Sequence, residues 1–169
     1  IAVSFYGTTQ PATTSPSAGE DTAFVNRLLQ QSKDLFTSDP GKAIALSMQA
    51  KTVAEKINFP KGAAIALKNI GLVNKKQGKY LEGLDYYHQS LKIYEAIKDN
   101  QGMANLYSNI GVIYYDRGDD TKALENYLQS LKYAELSGDK LRTLTAMNNV
   151  GGVYYQKPAT HDKALQYYL

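Results

Sequence analysis

The sequence predicts an all-α fold in which tandem helix-turn-helix repeats stack into a right-handed superhelix. Two observations support this prediction. The segments NIGLVNKKQGK, NIGVIYYDRGD and NVGGVYYQKPA begin at Asn69, Asn109 and Asn149, so one pattern returns every 40 residues. When residues 61–100 are laid over 101–140, identical residues recur at separations of one, three and four positions. Residues at separations of three and four share one face of a helix, whereas residues on one face of a strand are two positions apart.

The first 20 residues differ in composition from the rest of the chain. IAVSFYG is apolar but far too short to cross a bilayer, and TTQPATTSPSAGE has the Thr, Ser and Pro content of a flexible linker. Two interpretations remain open: the end of a secretory signal peptide, or a flexible N-terminal arm. The first places the protein outside the cytoplasm, for example in the periplasm, and the second leaves it in the cytoplasm.

Residues 21–60 are expected to form a first, divergent repeat. DTAFVNRLLQQSKDLF reads as one helix, and DPGKAIALSMQAKTVAEKI reads as its partner. Asp39 is the predicted N-cap of the partner helix, with Pro40 at its first position. The unit lacks the Asn-Ile-Gly signature, as expected for a terminal repeat with one face toward solvent.

Residues 61–100 and 101–140 form two full repeats. In the second, an apolar stripe predicts a first helix over about 102–117, and another predicts a second helix over about 121–136. Gly118 suits the end of the first helix, and Asp119 or Asp120 suits the cap of the next. A hairpin of this kind cannot bury its apolar face alone, so it must stack on its neighbours.

Residues 141–169 form a last, incomplete repeat. Its turn has one extra residue, with Pro158 at the place of the turn glycine, and HDKALQYYL ends inside an amphipathic pattern, so we expect the natural chain to continue. Gly71, Gly111 and Gly151 lie in mid-helix, where glycine costs about 1 kcal/mol relative to alanine. A cost that recurs in three repeats indicates a close helix contact with no room for a side chain.

Composition and motifs give no support for catalysis, a cofactor or nucleic-acid binding. The 169 residues are 43% hydrophobic and 21% charged, have a net charge of +3 and contain no cysteine. This charge is too small and too dispersed for a nucleic-acid partner. His88 and His161 lack metal-ligand spacing, and the GDD at 118–120 is expected to be a capping turn rather than a cation site. No segment within the chain predicts a membrane span.

The pattern resembles the tetratricopeptide repeat family, in its version of about 40 residues per unit, over residues 22–169. The second full unit departs least from the large–Leu–Gly–Tyr–Ala–Phe pattern, which falls on Tyr107, Ile110, Gly111, Tyr114, Ala123 and Tyr127. The first full unit matches at Leu67, Ile70, Gly71, Gly83 and Tyr87, although Asn74 replaces an aromatic residue. The last unit matches at Met147, Val150, Gly151, Tyr154, Ala164 and Tyr168.

This resemblance implies a concave groove, lined by the first helix of each unit, that binds a protein or peptide partner. In related arrays an asparagine contacts the backbone of the bound peptide, which implies the same role for Asn69, Asn109 and Asn149. An amide side chain suits this role because it both donates and accepts hydrogen bonds. The alternative is that each asparagine bonds a neighbouring helix and holds the stack together.

The other groove positions expected from the resemblance are basic at one end and amide-rich or aromatic toward the other. Lys68 is similar to part of the clamp that holds a peptide C-terminus in some family members, but the other clamp cations are absent from the matching positions. The expected positions are Lys68, Leu72, Lys75 and Lys76, then Asn105, Ser108, Val112, Tyr115 and Asp116, then Thr145, Asn148, Gly152, Tyr155 and Gln156.

Two functions follow as hypotheses. The first is a protein-interaction scaffold that grips a peptide segment or a helix of a partner. The second is the sensory portion of a larger bacterial signalling protein, because similar arrays precede the output domains of histidine kinases, nucleotide cyclases and helix-turn-helix regulators. In that case the catalytic part would lie beyond residue 169.

Overall fold

The computed structural model describes residues 18–156 and 158–168, with side chains from Asp21 onward. Within this part of the chain there are eight α-helices and no strand, which confirms the all-α prediction. About seven helices were expected, and the eighth is a helix of about two turns at the C-terminal end. The predicted N-terminal arm lies outside the described residues. The α-helices are α1 (Ala18–Asp34), α2 (Pro40–Lys56), α3 (Pro60–Lys76), α4 (Tyr80–Ala96), α5 (Asn100–Asp116), α6 (Asp120–Ser137), α7 (Lys140–Tyr155) and α8 (His161–Tyr168), with a short 3-10 helix at Pro158–Thr160 before α8.

The helix pairs stack so that one set of helices lies inside the curve. Each helix packs against the next along the chain, and in addition α1 contacts α3, α3 contacts α5, and α5 contacts α7. Within the described residues no contact joins α2 to α4 or α4 to α6. The inner helices α1, α3, α5 and α7 therefore lie closer together than the outer helices, and they form the concave face.

The turns between helices use the residues that the sequence indicated. Gly118 has a φ of +76°, a left-handed conformation that favours glycine at the end of a helix. Asp39 and Asp119 accept hydrogen bonds from the backbone N–H groups of Lys42 (2.9 Å) and Lys122 (3.1 Å). The choice between Asp119 and Asp120 as the cap of α6 is thus decided for Asp119. Helices α5 and α6 begin and end within two residues of their predicted bounds.

Close approach at the mid-helix glycines is confirmed, and the partner is a tyrosine ring. A Cβ atom added to Gly111 would lie 2.6 Å from Tyr127, and one added to Gly71 would lie 2.6 Å from Tyr87. The same relation joins Gly151 to Tyr168 across the last turn. Each ring of an outer helix thus lies flat against the glycine of its inner helix, which sets the spacing within the pair.

A repeated hydrogen bond joins the outer helix of a pair to the inner helix of the same pair. The hydroxyl of Ser90 donates to the carbonyl of Ala64 at 2.7 Å, and that of Ser130 donates to Ala104 at 2.8 Å. All four residues are buried. Since both ends of each bond recur at the 40-residue period, the bond is part of the repeat rather than of a functional site.

Candidate functional site

The inner helices carry two adjoining cavities on the concave face. The larger, called the amide cavity here, measures about 240 Å³. Its polar lining is formed by Asn105, Ser108, Asn109, Arg142 and Thr145, and the other residues that line it are Ala104, Ser130, Asp139, Leu141 and Ala146. The smaller, called the cationic cavity, measures about 170 Å³ and is lined by Lys61, Ile65, Lys68, Tyr94, Asp99, Gln101, Gly102, Asn105 and Arg142. Asn105 and Arg142 line both, so the two cavities lie side by side across α3, α5 and α7.

The three repeated asparagines do not occupy equivalent environments. Asn109 is half-buried in the amide cavity, and its Nδ2 donates to the backbone oxygen (2.8 Å) and to Oδ1 (2.9 Å) of Asn105. Asn149 is half-buried and donates to Oγ of Ser108 at 3.2 Å, so it reaches the neighbouring inner helix. Both side chains are therefore placed at the concave surface.

Asn69 differs from the other two because it is fully buried. Its Nδ2 lies 3.5 Å from the carbonyl oxygen of Leu29 on α1, which is a long hydrogen bond, and its Oδ1 has no partner among the described residues. Asn69 is thus shielded from the concave surface, because α1 packs over that position of α3. The preceding inner helices α3 and α5 leave Asn109 and Asn149 half-buried, although Asn149 also bonds Ser108 on α5.

The remaining expected groove residues divide into two groups. The structure brings Lys68, Asn105, Ser108 and Thr145 to the linings of the two cavities. The others stand outside both linings. Of these, Leu72 and Val112 are partly buried against the hydrophobic core. The ammonium of Lys76 lies 3.5 Å from the hydroxyl oxygen of Thr37. Tyr115 accepts a hydrogen bond from Gln156, and the ring of Tyr155 stacks on that of His161. Lys75 and Gly152 are half-buried, and Asp116 and Asn148 are exposed.

Arg142 is the main site residue that the sequence interpretation missed. It stands where the two preceding units have Gly62 and Gly102, so the repeat alignment contained the signal as a break in the pattern. The structure explains the break: the ring of Tyr94 packs on Gly102, but the equivalent of Tyr94 in the next unit is Ala134. Without a ring to accommodate, this position of α7 has room for a long side chain that reaches the concave face.

Charges in the cationic cavity are unevenly balanced. Lys61 forms an ion pair with Asp99 at 2.8 Å, and Asp99 also caps α5 by accepting from the N–H of Gly102 at 2.8 Å. Burial raises the pKa of Asp99, but the hydrogen bonds from Lys61 and from Gly102 outweigh it and hold that pKa below its ordinary value. Both carboxylate oxygens of Asp99 are thus bound by groups of the protein itself.

Lys68 has a different environment from Lys61. It is half-buried, and none of the ion pairs among the described residues includes it. Burial lowers the pKa of the Lys68 ammonium, and the neighbouring cations Lys33 and Arg142 lower it further. A cation held among other cations is an electrostatic arrangement that favours the approach of an anion.

The described residues offer no candidate metal site. Among residues 18–156 and 158–168, no group of three or more His, Asp or Glu side chains is placed to hold a metal ion. His88 is exposed and lies on an outer helix. In the same part of the chain, no helix combines the length and apolarity needed to cross a membrane.

Comparison with protein families matches the tetratricopeptide repeat at residues 62–136 and 102–169, which together span well over half of the chain. The chain belongs to the tetratricopeptide repeat family. Such repeats are non-catalytic modules typical of protein–protein interaction and of sensory regions. No curated protein matches the sequence.

Solved structures of the same fold come from proteins of several kinds. BtubC (BKLC) from P. vanneervenii is 17% identical with a TM-score of 0.72, and the match covers 87% of this chain and 61% of that one. The apo form of RapI is 14% identical with a TM-score of 0.75, covering 88% of this chain and 41% of that one. A signal transduction ATPase with numerous domains from Pyrococcus horikoshii, which has a tetratricopeptide repeat sensor, is 18% identical with a TM-score of 0.72 over 88% of this chain and 24% of that one. This chain therefore spans less than two thirds of each of these proteins, and the likeness is one of fold.

Proposed function

We propose that this chain is a protein-interaction scaffold whose concave face binds an extended peptide segment of a partner protein. The observation that supports the proposal is the adjacent position of the amide cavity and the cationic cavity on three inner helices. They measure about 240 Å³ and 170 Å³. A row of small, open cavities along successive inner helices suits a chain segment better than a compact small molecule.

The chemistry of the amide cavity supports an extended backbone as the ligand. Asn105, Ser108, Asn109 and Thr145 supply hydroxyl and amide groups, which can both donate to and accept from a peptide's C=O and N–H groups. Asn109 is held by its two bonds to Asn105, so this part of the surface is ordered before a ligand arrives. Preorganisation of this kind reduces the entropy cost of binding.

Selection from a displayed library of random 12-residue peptides tests the proposal without a known partner. We expect the wild-type protein to enrich a family of related peptides, and Asn109→Ala to weaken their binding by about tenfold, which corresponds to loss of roughly one buried hydrogen bond.

Asn126→Ala is the matched control for this experiment. Asn126 is also half-buried and also donates to the carbonyl four residues before it, at 2.8 Å, as Asn109 does, but it lies on the outer helix α6. Binding that falls equally in both variants, or no enrichment by the wild-type protein, would refute a peptide site on the concave face.

A second candidate function is the sensory portion of a larger signalling protein, such as a histidine kinase, a nucleotide cyclase or a helix-turn-helix regulator. It is favoured by the likeness to the tetratricopeptide repeat sensor of the Pyrococcus horikoshii protein, of which this chain spans 24%. Reading the complete gene tests it. An apolar membrane segment or a catalytic domain after the repeats would support this candidate, and a gene that encodes repeats alone would refute it.

A further inference from the structure

A third cavity, called the outer hollow here, lies between the outer helices α2 and α4, which do not contact each other within the described residues. It measures about 410 Å³, and the start of α3 forms its floor. Its two polar residues are Glu55 and Asn58, and its apolar wall consists of Ala54, Phe59, Pro60, Ala63 and Ile93. None of these residues lines the amide cavity or the cationic cavity, so the outer hollow is a separate site.

The next repeat fills the same place with its own side chains. Three positions of the apolar wall carry a larger residue there: Ala54, Ala63 and Ile93 have Tyr94, Met103 and Tyr133 as their counterparts 40 residues later. The three larger side chains pack in one hydrophobic cluster, in which Tyr94 and Met103 are buried and Tyr133 is half-buried. The fold thus places two phenol rings and a thioether chain where the preceding repeat leaves an open cavity.

Phe59 covers a neighbouring glycine but does not close the outer hollow. A Cβ atom added to Gly62 would lie 2.5 Å from Cδ1 of Phe59, so this ring lies against Gly62 as the ring of Tyr94 lies against Gly102. Phe59 belongs to the turn before α3, whereas Tyr94 belongs to the outer helix α4. The glycine is therefore covered in both repeats, while the space between the outer helices is filled in only one of them.

The surface around the outer hollow suits one anchoring residue better than a broad interface. None of the large hydrophobic side chains that are exposed among the described residues lines the hollow. A standard stable interface buries roughly 800 Å² on each partner, and apolar surface confined to one cavity does not supply that area for a second copy of this chain. A single large side chain that enters a pocket is, by contrast, a common form of binding hot spot.

We propose that the outer hollow takes up one tyrosine side chain of a partner protein. The tyrosine ring fills the space that phenol rings fill in the next repeat, and Phe59 is its aromatic neighbour in the wall. Tyrosine combines an apolar ring with a polar hydroxyl, which suits an apolar wall with the exposed polar residues Glu55 and Asn58 beside it. A carboxylate or an amide oxygen can accept the hydrogen bond of the phenol. This second docking site does not depend on peptide binding at the concave face.

Small probes test the site without a known partner. Protein with isotope-labelled alanine and isoleucine methyl groups is titrated with acetyl-Tyr-amide, and the NMR signals of Ala54, Ala63 and Ile93 are followed. We expect saturable shifts at these methyl groups and none at Ala123, which is buried outside the outer hollow. Acetyl-Phe-amide should bind about fivefold more weakly, as expected for loss of one hydrogen bond, and acetyl-Leu-amide should bind more weakly than either aromatic probe.

Variants that copy the next repeat assign the shifts to the outer hollow. Ile93→Tyr gives the chain its own ring at the hollow, so acetyl-Tyr-amide, followed through the Ala54 signal, should bind about tenfold more weakly or worse. Leu81→Tyr is the control, because Leu81 lies on the same helix, is 70% exposed and does not line the hollow; the dissociation constant should not change. Ala63→Met, which also copies the next repeat, should give the same loss and serves if Ile93→Tyr perturbs the fold.

Each other outcome overturns a defined part of the inference. No saturable shifts, or equal affinities for wild type, Ile93→Tyr and Ala63→Met, would show that the outer hollow is not a binding site. Equal or tighter binding of the Phe or Leu probe would exclude tyrosine as the occupant. Binding of p-cresol without binding of acetyl-Tyr-amide would show that the hollow admits a free aromatic molecule but not a residue of a chain.

Two further measurements separate this inference from other interpretations. Sedimentation velocity should show no self-association through the outer hollow; self-association of the wild type that Ile93→Tyr abolishes would make the hollow an interface between two copies and refute a separate partner. Failure of the probe titrations together with successful peptide selection would refute the outer site and leave the proposed function intact. The converse result would refute peptide binding at the concave face alone.

Discussion

Replacing Gly111 with alanine should test the packing that holds each helix pair together. A Cβ atom at this position would lie 2.6 Å from both Cδ1 and Cε1 of Tyr127. Carbon atoms in proteins pack at about 3.5–4.0 Å, so the ring or the helix would have to move by roughly 1 Å. Tyr127 is only 4% exposed and packs with Ala123, Val150 and Val153, so no free space receives the displaced ring.

Two opposing effects determine how much Gly111→Ala changes the free energy of unfolding. Alanine in a helix interior gains about 1 kcal/mol over glycine, and overpacking a buried site costs about 1–3 kcal/mol. The free energy of unfolding of Gly111→Ala should therefore fall by up to about 2 kcal/mol. Gly152→Ala is the matched comparison, because the nearest atom to its Cβ would be Tyr168 Oη at 3.9 Å, an ordinary contact. That variant keeps the helix gain without the clash, so it should be more stable than wild type by about 1 kcal/mol.

Urea unfolding followed by far-ultraviolet circular dichroism measures both changes, and equal m-values confirm that the same surface unfolds in each variant. The difference between the two variants isolates the overpacking cost, because the gain in helix propensity is common to both. A double-mutant cycle with Tyr127→Leu adds a second check: Gly111→Ala should become less harmful once the ring is gone. If Gly111→Ala stabilises the protein as much as Gly152→Ala does, the ring does not lie against this glycine and the packing argument fails.

Three other predictions concern the asparagines and the buried titratable groups. Asn69→Ala should lower the free energy of unfolding by about 1–3 kcal/mol, because it leaves a void under α1. Asn109→Ala and Asn149→Ala should change the free energy of unfolding by about 1 kcal/mol or less. Losses of equal size for the three variants in ligand-free thermal melts would show that all three asparagines have a structural role. Because the pKa of Asp99 lies below its unfolded value of about 4, its stabilising effect should be present above that pH and fall away under stronger acid, so the unfolding free energies of wild type and Asp99→Asn should converge there. Burial, and after it the charge of Asp99, raise the pKa of Tyr94 to about 12. The neutral phenol of Tyr94 should therefore stabilise the fold fully below pH of about 10 and lose this effect as the pH rises through about 12. Absorbance at a phenolate wavelength should show a late-titrating tyrosine that Tyr94→Phe removes.

Most of the fold could be predicted because its determinants are local and periodic. The cap at Asp39 and the left-handed Gly118 depend on neighbours within a few residues, and the sequence indicated both. For the cap of α6 the sequence offered Asp119 or Asp120, and the structure has Asp119. The contact between Gly111 and Tyr127 was half predicted: the cost of a mid-helix glycine indicated close packing, but the glycine alone did not name the ring that fills the space.

The binding surface was less predictable because a periodic pattern gives the face of a helix on which a residue lies and not what covers that face. Asn69, Asn109 and Asn149 share one repeat position, yet α1 buries Asn69 completely and leaves the other two half-buried at the concave surface. Similarly, Lys68 and Arg142 are 74 residues apart in sequence, and Arg142 replaces a glycine of the repeat. The sequence by itself determined the repeats, their helices and their turns. Only the stacking of inner helices decided which amide is accessible and which cations share a cavity, because burial and electrostatic fields depend on neighbours that the chain brings together from distant repeats.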